Sequence, residues 1–462
     1  MKRNNIYKGF CYMLLLLIVV ACETPNMDKD VTYNNGLLNF YVKIIGESTE
    51  YAATKTGPYA DGDTLYIKVP TTEESPLNLS QLKPYASLEN NSSVFPGIDG
   101  IMDFTNPLKI NVTDGLGIQR TNYVKILPTP PKTLFKKMWF KNSTEMGVVR
   151  PYISGIAVSG NNLLVHDAGD GVRVFDKLTG EKMPAIISPA TYTMQVKTDD
   201  VGHILINRYN KYGAGFIVYY YEDVNSQPNV ILNYTAAAGC PSALGTKMSI
   251  TGNLKEGKAY IYATAPTTTE IYYWIFNNGV LVNIEPQIIK YANAKSPWTY
   301  ASVKRESIAD NSDHYITYCI YDAADGKTLK KGSRFEIFPP NMDLIQMNTQ
   351  NNKYKIFDFD VFTINGDKFL VTLEQGFSAW DGVVMKVFEI TNKNNLTLVP
   401  GDANYSQFKL FESDVYGGTN YNRYGDVAVK VDGLNAYIYA SIACSAADKA
   451  GIIAYKMTYF PQ

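Results

Sequence analysis

The chain has only three histidines and five cysteines in 462 residues, and this scarcity removes several chemistries at the outset. His166, His203 and His314 lie far apart, and none has a partner at the short spacing that helical zinc sites use. There is no G-x-S-x-G elbow and no G-x-x-x-x-G-K-[ST] phosphate loop, so two common catalytic signatures are missing. No catalytic residue, metal ligand or cofactor is therefore nominated. Charge of either sign is not in excess: 43 basic residues face 44 acidic ones, with no basic stripe, which argues against nucleic acid as a partner. Helical periodicity is sparse. Long apolar runs are absent apart from one, Gly9 to Ala21, and it falls short of the roughly 20 residues a spanning helix needs.

That run follows Lys2, Arg3 and Lys8 and ends in Val19-Val20-Ala21-Cys22, the layout of a cleaved export signal over residues 1–21. The last four residues resemble a bacterial lipobox, which implies that Cys22 becomes the lipid-bearing first residue. Residues 22–32, with Glu23, Asp28 and Asp30, read as a polar, acidic tether. Such acidic segments are similar to the surface-export signals of Bacteroidetes lipoproteins. The expectation is an outer-membrane, lipid-anchored protein, on the cell surface or alternatively on the periplasmic face. Removing residues 1–21 lowers the basic count from 43 to 40 while the acidic count stays at 44, a net of −4. Cys240, Cys319 and Cys444 then remain, too few and too scattered for a disulfide framework, and read as buried small apolar residues.

Thirty-five tyrosines, with abundant Val, Ile and Thr, make the chain all-β. Residues 33–128 form one β unit: Leu65-Ile67-Val69 and Leu108-Ile110-Val112 alternate with polar residues between turn signals. Phe95-Pro96-Gly97, Asp103-Phe104, Asp114-Gly115 and Tyr123-Val124-Lys125-Ile126 together resemble the immunoglobulin-like domain (DUF5018-like) at the front of many Bacteroidetes lipoproteins. The match departs from the family after Asp114-Gly115, where Leu116-Gly117 replaces the usual Ser or Thr. The resemblance covers about a fifth of the chain and implies a β-sandwich spacer. Residues 129–133 follow as a Pro-rich linker.

Residues 134–462 carry a repeat. Six copies share a strand, a turn, a second strand, a longer loop and a third strand, as in Gly155–Val158, Leu163–His166 and Val172–Phe175. Third strands recur about every 45 to 70 residues, a period typical of β-propeller blades. Outer fourth strands are expected at Pro184–Ile187, Val230–Leu232, Leu281–Ile284 and Leu396–Leu398. The sixth copy lacks one, and the surplus segment Leu134–Phe140 is expected to supply it. The count is six blades, or seven if Gly401–Arg423 hides a degenerate one.

Asp167-Ala168-Gly169-Asp170-Gly171 lacks the later acidic positions of a calcium loop and reads as a turn. The remaining signal is aromatic. The longer loops hold Arg150 and Tyr152, Arg208 and Tyr209, Trp298 and Tyr300, Trp380, and Tyr421, Arg423 and Tyr424. Aromatic faces flanked by amides and cations suit sugars, whose C–H faces stack on rings. The expected function is non-catalytic binding of a glycan or other extracellular ligand, resembling lipoproteins that accompany outer-membrane nutrient-uptake complexes. The alternatives are a propeller-fold glycoside hydrolase or lyase, and a structural protein-interaction component.

Overall fold

The computed structural model describes residues 35–46, 50–72, 76–148, 153–166, 171–186, 192–294, 296–319, 333–339, 344–348, 351, 355–375, 382–402, 404–417, 425–442, 444 and 446–461. Over these residues the chain is all-β, and it divides into two compact units, Met1–Pro130 and Pro131–Gln462. The export signal, Cys22, the tether, and Asp167–Asp170 of the expected turn lie outside the described residues.

The first unit holds β1 (Leu37–Ile44), β2 (Tyr51–Ala52), β3 (Thr64–Pro70), β4 (Leu82–Leu88), β5 (Ser93–Phe95), β6 (Leu108–Thr113) and β7 (Gln119–Thr129). They form two sheets, ordered β2-β1-β4 and β3-β7-β6-β5, with β3 and β7 parallel. Alternation builds the core. In β3, Leu65, Ile67 and Val69 point inward while Thr64, Tyr66 and Lys68 face solvent. They meet Phe40 and Val42 of β1 and Ile110, Val112, Val124 and Ile126 of β6 and β7, so the two sheets share one apolar core.

The second unit begins with β8 (Thr133–Asn142) and continues as six sheets in chain order. The first two are β9 (Gly155–Ser159), β10 (Asn162–His166), β11 (Val172–Asp176), β12 (Lys182–Ile186), and β13 (Thr193–Thr198), β14 (Ile204–Arg208), β15 (Phe216–Tyr221), β16 (Asn229–Tyr234). The third is β17 (Lys247–Gly252), β18 (Lys258–Thr264), β19 (Glu270–Asn277), β20 (Val280–Leu281) and β21 (Gln287–Lys290). The fourth is β22 (Tyr300–Arg305), β23 (His314–Cys319), β24 (Ser333–Phe338) and β25 (Ile345–Gln346). The fifth is β26 (Lys355–Ile364), β27 (Asp367–Gln375), β28 (Gly382–Glu389), β29 (Lys409–Glu412) and β30 (Tyr416–Gly417). The sixth is β31 (Val427–Asp432), β32 (Asn435–Ile442) and β33 (Gly451–Tyr459), to which β8 adds the fourth strand, as read from the sequence.

Every sheet of this unit is antiparallel, and its outermost strands are the most exposed. All five residues of β9 are buried, whereas Asn229 and Val230 of β16 and three of the four residues of β21 face solvent. A first strand covered on both faces reads as a continuous apolar run, which is why Gly155-Ile156-Ala157-Val158 does not alternate. Gly155 has a further reason: a Cβ there would lie 2.6 Å from the backbone nitrogen of Val196 in the next sheet. Each first strand adjoins the first strand of the following sheet, and β31 adjoins β9.

Buried polar side chains on second strands tie neighbouring sheets together. His166 meets the Thr193 hydroxyl at 2.8 Å, the Asn207 amide donates to Gly245 O at 2.7 Å, and Thr264 donates to Ala301 O at 2.6 Å. Thr317 donates to Ile356 O, and Tyr439 of the last sheet donates to Lys177 O of the first at 2.8 Å. Turns obey local chemistry. Asn365-Gly366 links β26 to β27 with φ of 50° and 88°, the left-handed pair that a two-residue hairpin requires. Asp176 accepts from the backbone of Leu178 and Thr179, closing the Asp176–Gly180 turn that follows β11.

Two outer strands differ from expectation. Leu396–Leu398 is no strand: Lys393–Thr397 forms a 3-10 turn capped by Asn392, with Leu396 buried as its anchor. The outer strands of that sheet are β29 and β30, so the Gly401–Arg423 connection feeds the fifth sheet and adds no seventh among the described residues. The strand expected at Leu281–Ile284 splits into β20 and β21 around Pro286, whose nitrogen cannot donate to a ladder.

Candidate functional site

The six first strands enclose a cavity of about 90 Å³ lined by Lys197, Lys304, Asp358, Asp360, Ser249, Ser302 and apolar residues of β9 and β31. At about 30 Å³ per water, that space holds a few water molecules, whereas pockets for organic ligands run to roughly 300–1,000 Å³. Its wall is charged. Lys247 donates to Asp358 at 2.9 Å and to Gly425 O at 2.7 Å. Lys197 donates to Asp426 at 2.6 Å and stands 3.9 Å from Asp358. Ser302 donates to Asp358 at 2.7 Å, and Lys304 pairs with Asp360. Asp426 also accepts from the backbone of Ile156 at 2.8 Å, joining the sixth sheet to the first.

Asp358 and Asp426 are hydrogen-bonded to each other and titrate as a pair. Burial opposes ionisation of Asp358, but Lys247 and Lys197 outweigh it and hold this carboxyl well below the ordinary carboxylate range. Burial, with the Asp358 charge adding to it, pushes Asp426 up to about 7 against the pull of Lys197. Burial draws Lys197 down, yet Asp426 and Asp358 leave it above an ordinary lysine. Carboxyl groups that hydrolyse glycosides stand roughly 5–10 Å apart with substrate between them. Here they touch and are capped by lysines. Such a constellation fixes strands rather than receiving a sugar. Among the described residues no three His, Cys, Asp or Glu side chains gather as metal ligands.

A second constellation lies on the loops entering β13 and linking β14 to β15. Tyr192 and Tyr212 meet edge to face, ring centroids 6.0 Å apart at 81°, and Tyr212 is 85% exposed. The Lys211 ammonium sits 5.1 Å from one ring centroid and 5.2 Å from the other. Both tyrosines are in the left-handed region, with φ of 61° and 56°, which disfavours any residue bearing a Cβ. The fold maintains this through Asn210, which is buried beneath the loop. Its amide donates to Cys240 O and Pro241 O, each at 2.9 Å, its carbonyl accepts from Gly215 N at 2.9 Å, and its backbone pairs with Leu244 and Ala243. The loop is thus preorganised, with two aromatic faces and a cation turned to solvent.

The residues nominated from sequence fall into three groups. Arg208 and Tyr209 are half-buried at the base of this loop, and Arg208 Nε is buried without a hydrogen-bond partner among the described residues. Trp298 must be corrected: it is fully buried, donates to Ala265 O at 2.8 Å and packs against Tyr318, leaving no face for a ligand. Tyr300 is likewise buried, with its ring against Phe357. Arg150, Tyr152, Trp380, Tyr421, Arg423 and Tyr424 lie outside the described residues. Tyr192, Lys211 and Tyr212 were not nominated. The signal for the last was Tyr212-Gly213, an aromatic beside glycine at a turn.

The histidines serve structure. Asp199 accepts from Gly202 N and His203 N and meets the His203 ring at 2.8 Å, pinning a tight turn. His314 is buried against Phe338 and Tyr262, and burial, helped by Arg305, pulls it down to about 4.

A family model described as "Domain of unknown function (DUF8500)" matches residues 137–448. No curated protein matches the chain. Among solved structures, a triple mutant of AofleA from Arthrobotrys oligospora is similar at 8% identity and a TM-score of 0.40, over 72% of this chain and 88% of that one. Hydrazine synthase of Kuenenia stuttgartiensis shares 10% identity at a TM-score of 0.38, over 89% and 98% of the two chains. The computationally designed Ika8 protein shares 12% at 0.32, over 92% and 98%. Likenesses this distant say nothing about what the chain binds.

Proposed function

The chain belongs to the DUF8500 family, and for this member we propose a lipid-anchored, non-catalytic protein that binds a glycan through the Tyr192–Lys211–Tyr212 surface of its second unit. The second unit is read as a six-bladed β-propeller, supported by first strands that each adjoin the next and by β8 completing the last sheet. The first unit is read as an immunoglobulin-like spacer, supported by two sheets around one core. The lipobox at Cys22 supports attachment to the outer membrane, on the cell surface, beside a nutrient-uptake complex.

One observation carries the binding role: two tyrosines held in a costly backbone conformation, edge to face and exposed, over a loop anchored by a buried amide. Strain persists where surrounding structure over-determines it, and such positions cluster at ligand clamps. An edge-to-face corner offers one ring to stack a pyranose and a second to abut it, with the Lys211 ammonium in reach of hydroxyl or carboxylate oxygens. The non-catalytic part is supported by the central carboxyls, which are consumed by lysines. Affinity electrophoresis across common polysaccharides tests the proposal. Retardation by at least one polysaccharide is expected, with about ten-fold weaker binding in Tyr192→Ala or Tyr212→Ala. Binding that both substitutions leave unchanged rejects the surface, and hydrolysis of any polysaccharide favours the glycoside hydrolase reading instead.

A further inference from the structure

We propose that the β6–β7 turn of the first unit, Leu116 and Ile118, is a lipid-contacting surface that seats this unit on the bilayer carrying the anchor. The inference rests on the reading of Cys22 as lipidated.

Isolated exposed apolar residues are ordinary on protein surfaces, so exposure alone decides nothing. Three observations separate this turn from the rest. Leu116 is 74% exposed and Ile118 is 48% exposed, and neither joins the unit's core. The turn is rigid. Buried Asp114 accepts from Leu116 N and Ile118 N at 2.9 Å each and from Arg120 at 2.6 Å, while its backbone pairs with Ile118 and Gly117. A preorganised turn presents its apolar side chains without a further ordering cost.

The third observation is where the chain enters. Gly36 sits against this turn: a Cβ there would lie 3.1 Å from the Asp114 Cα, and its backbone is held by Glu89. Residues 23–34 are all that separate Cys22 from Asn35, about a dozen residues that reach at most roughly 40 Å when extended. The tether thus leaves the unit at the end that bears Leu116 and Ile118, and keeps that end within roughly 40 Å of the anchored lipid. Apolar side chains at such a position enter the headgroup boundary and add to the hold of the acyl chains.

The test uses the full chain, acylated and reconstituted in phosphatidylethanolamine–phosphatidylglycerol vesicles. An environment-sensitive fluorophore is attached at Leu116→Cys, Ile118→Cys or, as control, Ile45→Cys. Ile45 is 50% exposed just beyond the far end of β1, about 26 Å away along a strand of eight residues. The buried Cys240, Cys319 and Cys444 do not compete for the label. Labels at 116 and 118 are expected to be quenched by spin-labelled lipid about three-fold more than the label at 45. Equal quenching at all three positions, on protein whose Cys22 carries acyl groups by mass spectrometry, overturns the docking surface while leaving the anchor intact. A Cys22 without acyl groups overturns the anchor, and the docking surface with it. Two label positions guard against one substitution disturbing the turn.

Discussion

The cavity wall and the tyrosine loop invert the usual distribution of side chains. At the centre of the second unit four ionisable groups, buried Lys247, Asp358 and Asp426 and half-buried Lys197, satisfy one another. On its loops two large aromatic rings and a lysine are turned to water on a backbone that disfavours them. Partnered charge inside joins four sheets, and the ring pair with its lysine outside presents aromatic surface to solvent. The paired charges at the centre tie sheets together, and the exposed ring pair on the loop is what the proposed binding role rests on.

The largest expected effect breaks the centre. Asp358→Ala strips buried Lys247 of its carboxylate, and a loss of about 3–5 kcal/mol in denaturant-unfolding stability is predicted. A smaller loss, under about 1 kcal/mol, would mean that the charges are screened by water and that the centre is not a tie. Asn210→Ala comes next. Removing an amide that joins three loop segments should cost about 1–3 kcal/mol and abolish glycan retardation together, because the loop loses its anchor.

The pH dependence sharpens the contrast further. Asp426 is pushed up to about 7 in the folded state, so between about pH 4 and 7 the folded chain keeps a proton that the unfolded chain has lost. Its contribution to stability is therefore present at low pH and disappears as pH rises through that window. Asp426→Asn should flatten the fall in melting temperature over it. His314 acts with the opposite sign: pulled down to about 4, it lowers stability as pH falls from about 6.5. His314→Phe should flatten that limb, and a melting-temperature series separates the two.

The smallest effect on stability belongs to the loop surface. Tyr212→Gly is expected to stabilise by up to about 1 kcal/mol, since glycine tolerates a φ of 56°. The same substitution should weaken glycan binding about ten-fold. Stability and binding moving in opposite directions is the signature of a strained site rather than of packing.

Much of the strand order was legible in the sequence because apolar patterning is a local property. Leu163-Leu164-Val165 and Ile204-Leu205-Ile206 announce strands buried on both faces, and the unpaired segment near Trp139 announces the fourth strand of the last sheet. The central charges were not legible. Lys197 and Asp426 stand 229 residues apart, on sheets that only the fold brings together. Aromatic loops could be listed but not sorted: Trp298 and Tyr212 look alike in composition, and only packing buries one and exposes the other. Leu396 misled for a related reason, because an apolar residue anchoring a 3-10 turn looks like one pointing from a strand.

Tyr212 carries the proposed binding surface. Glycan-array binding of the intact chain and of Tyr212→Gly, measured alongside their melting temperatures, tests it most directly. The prediction is a bound glycan for the intact chain, and loss of that signal with a melting temperature equal or higher in the variant. Undiminished binding by Tyr212→Gly, or a marked fall in its melting temperature, would contradict it.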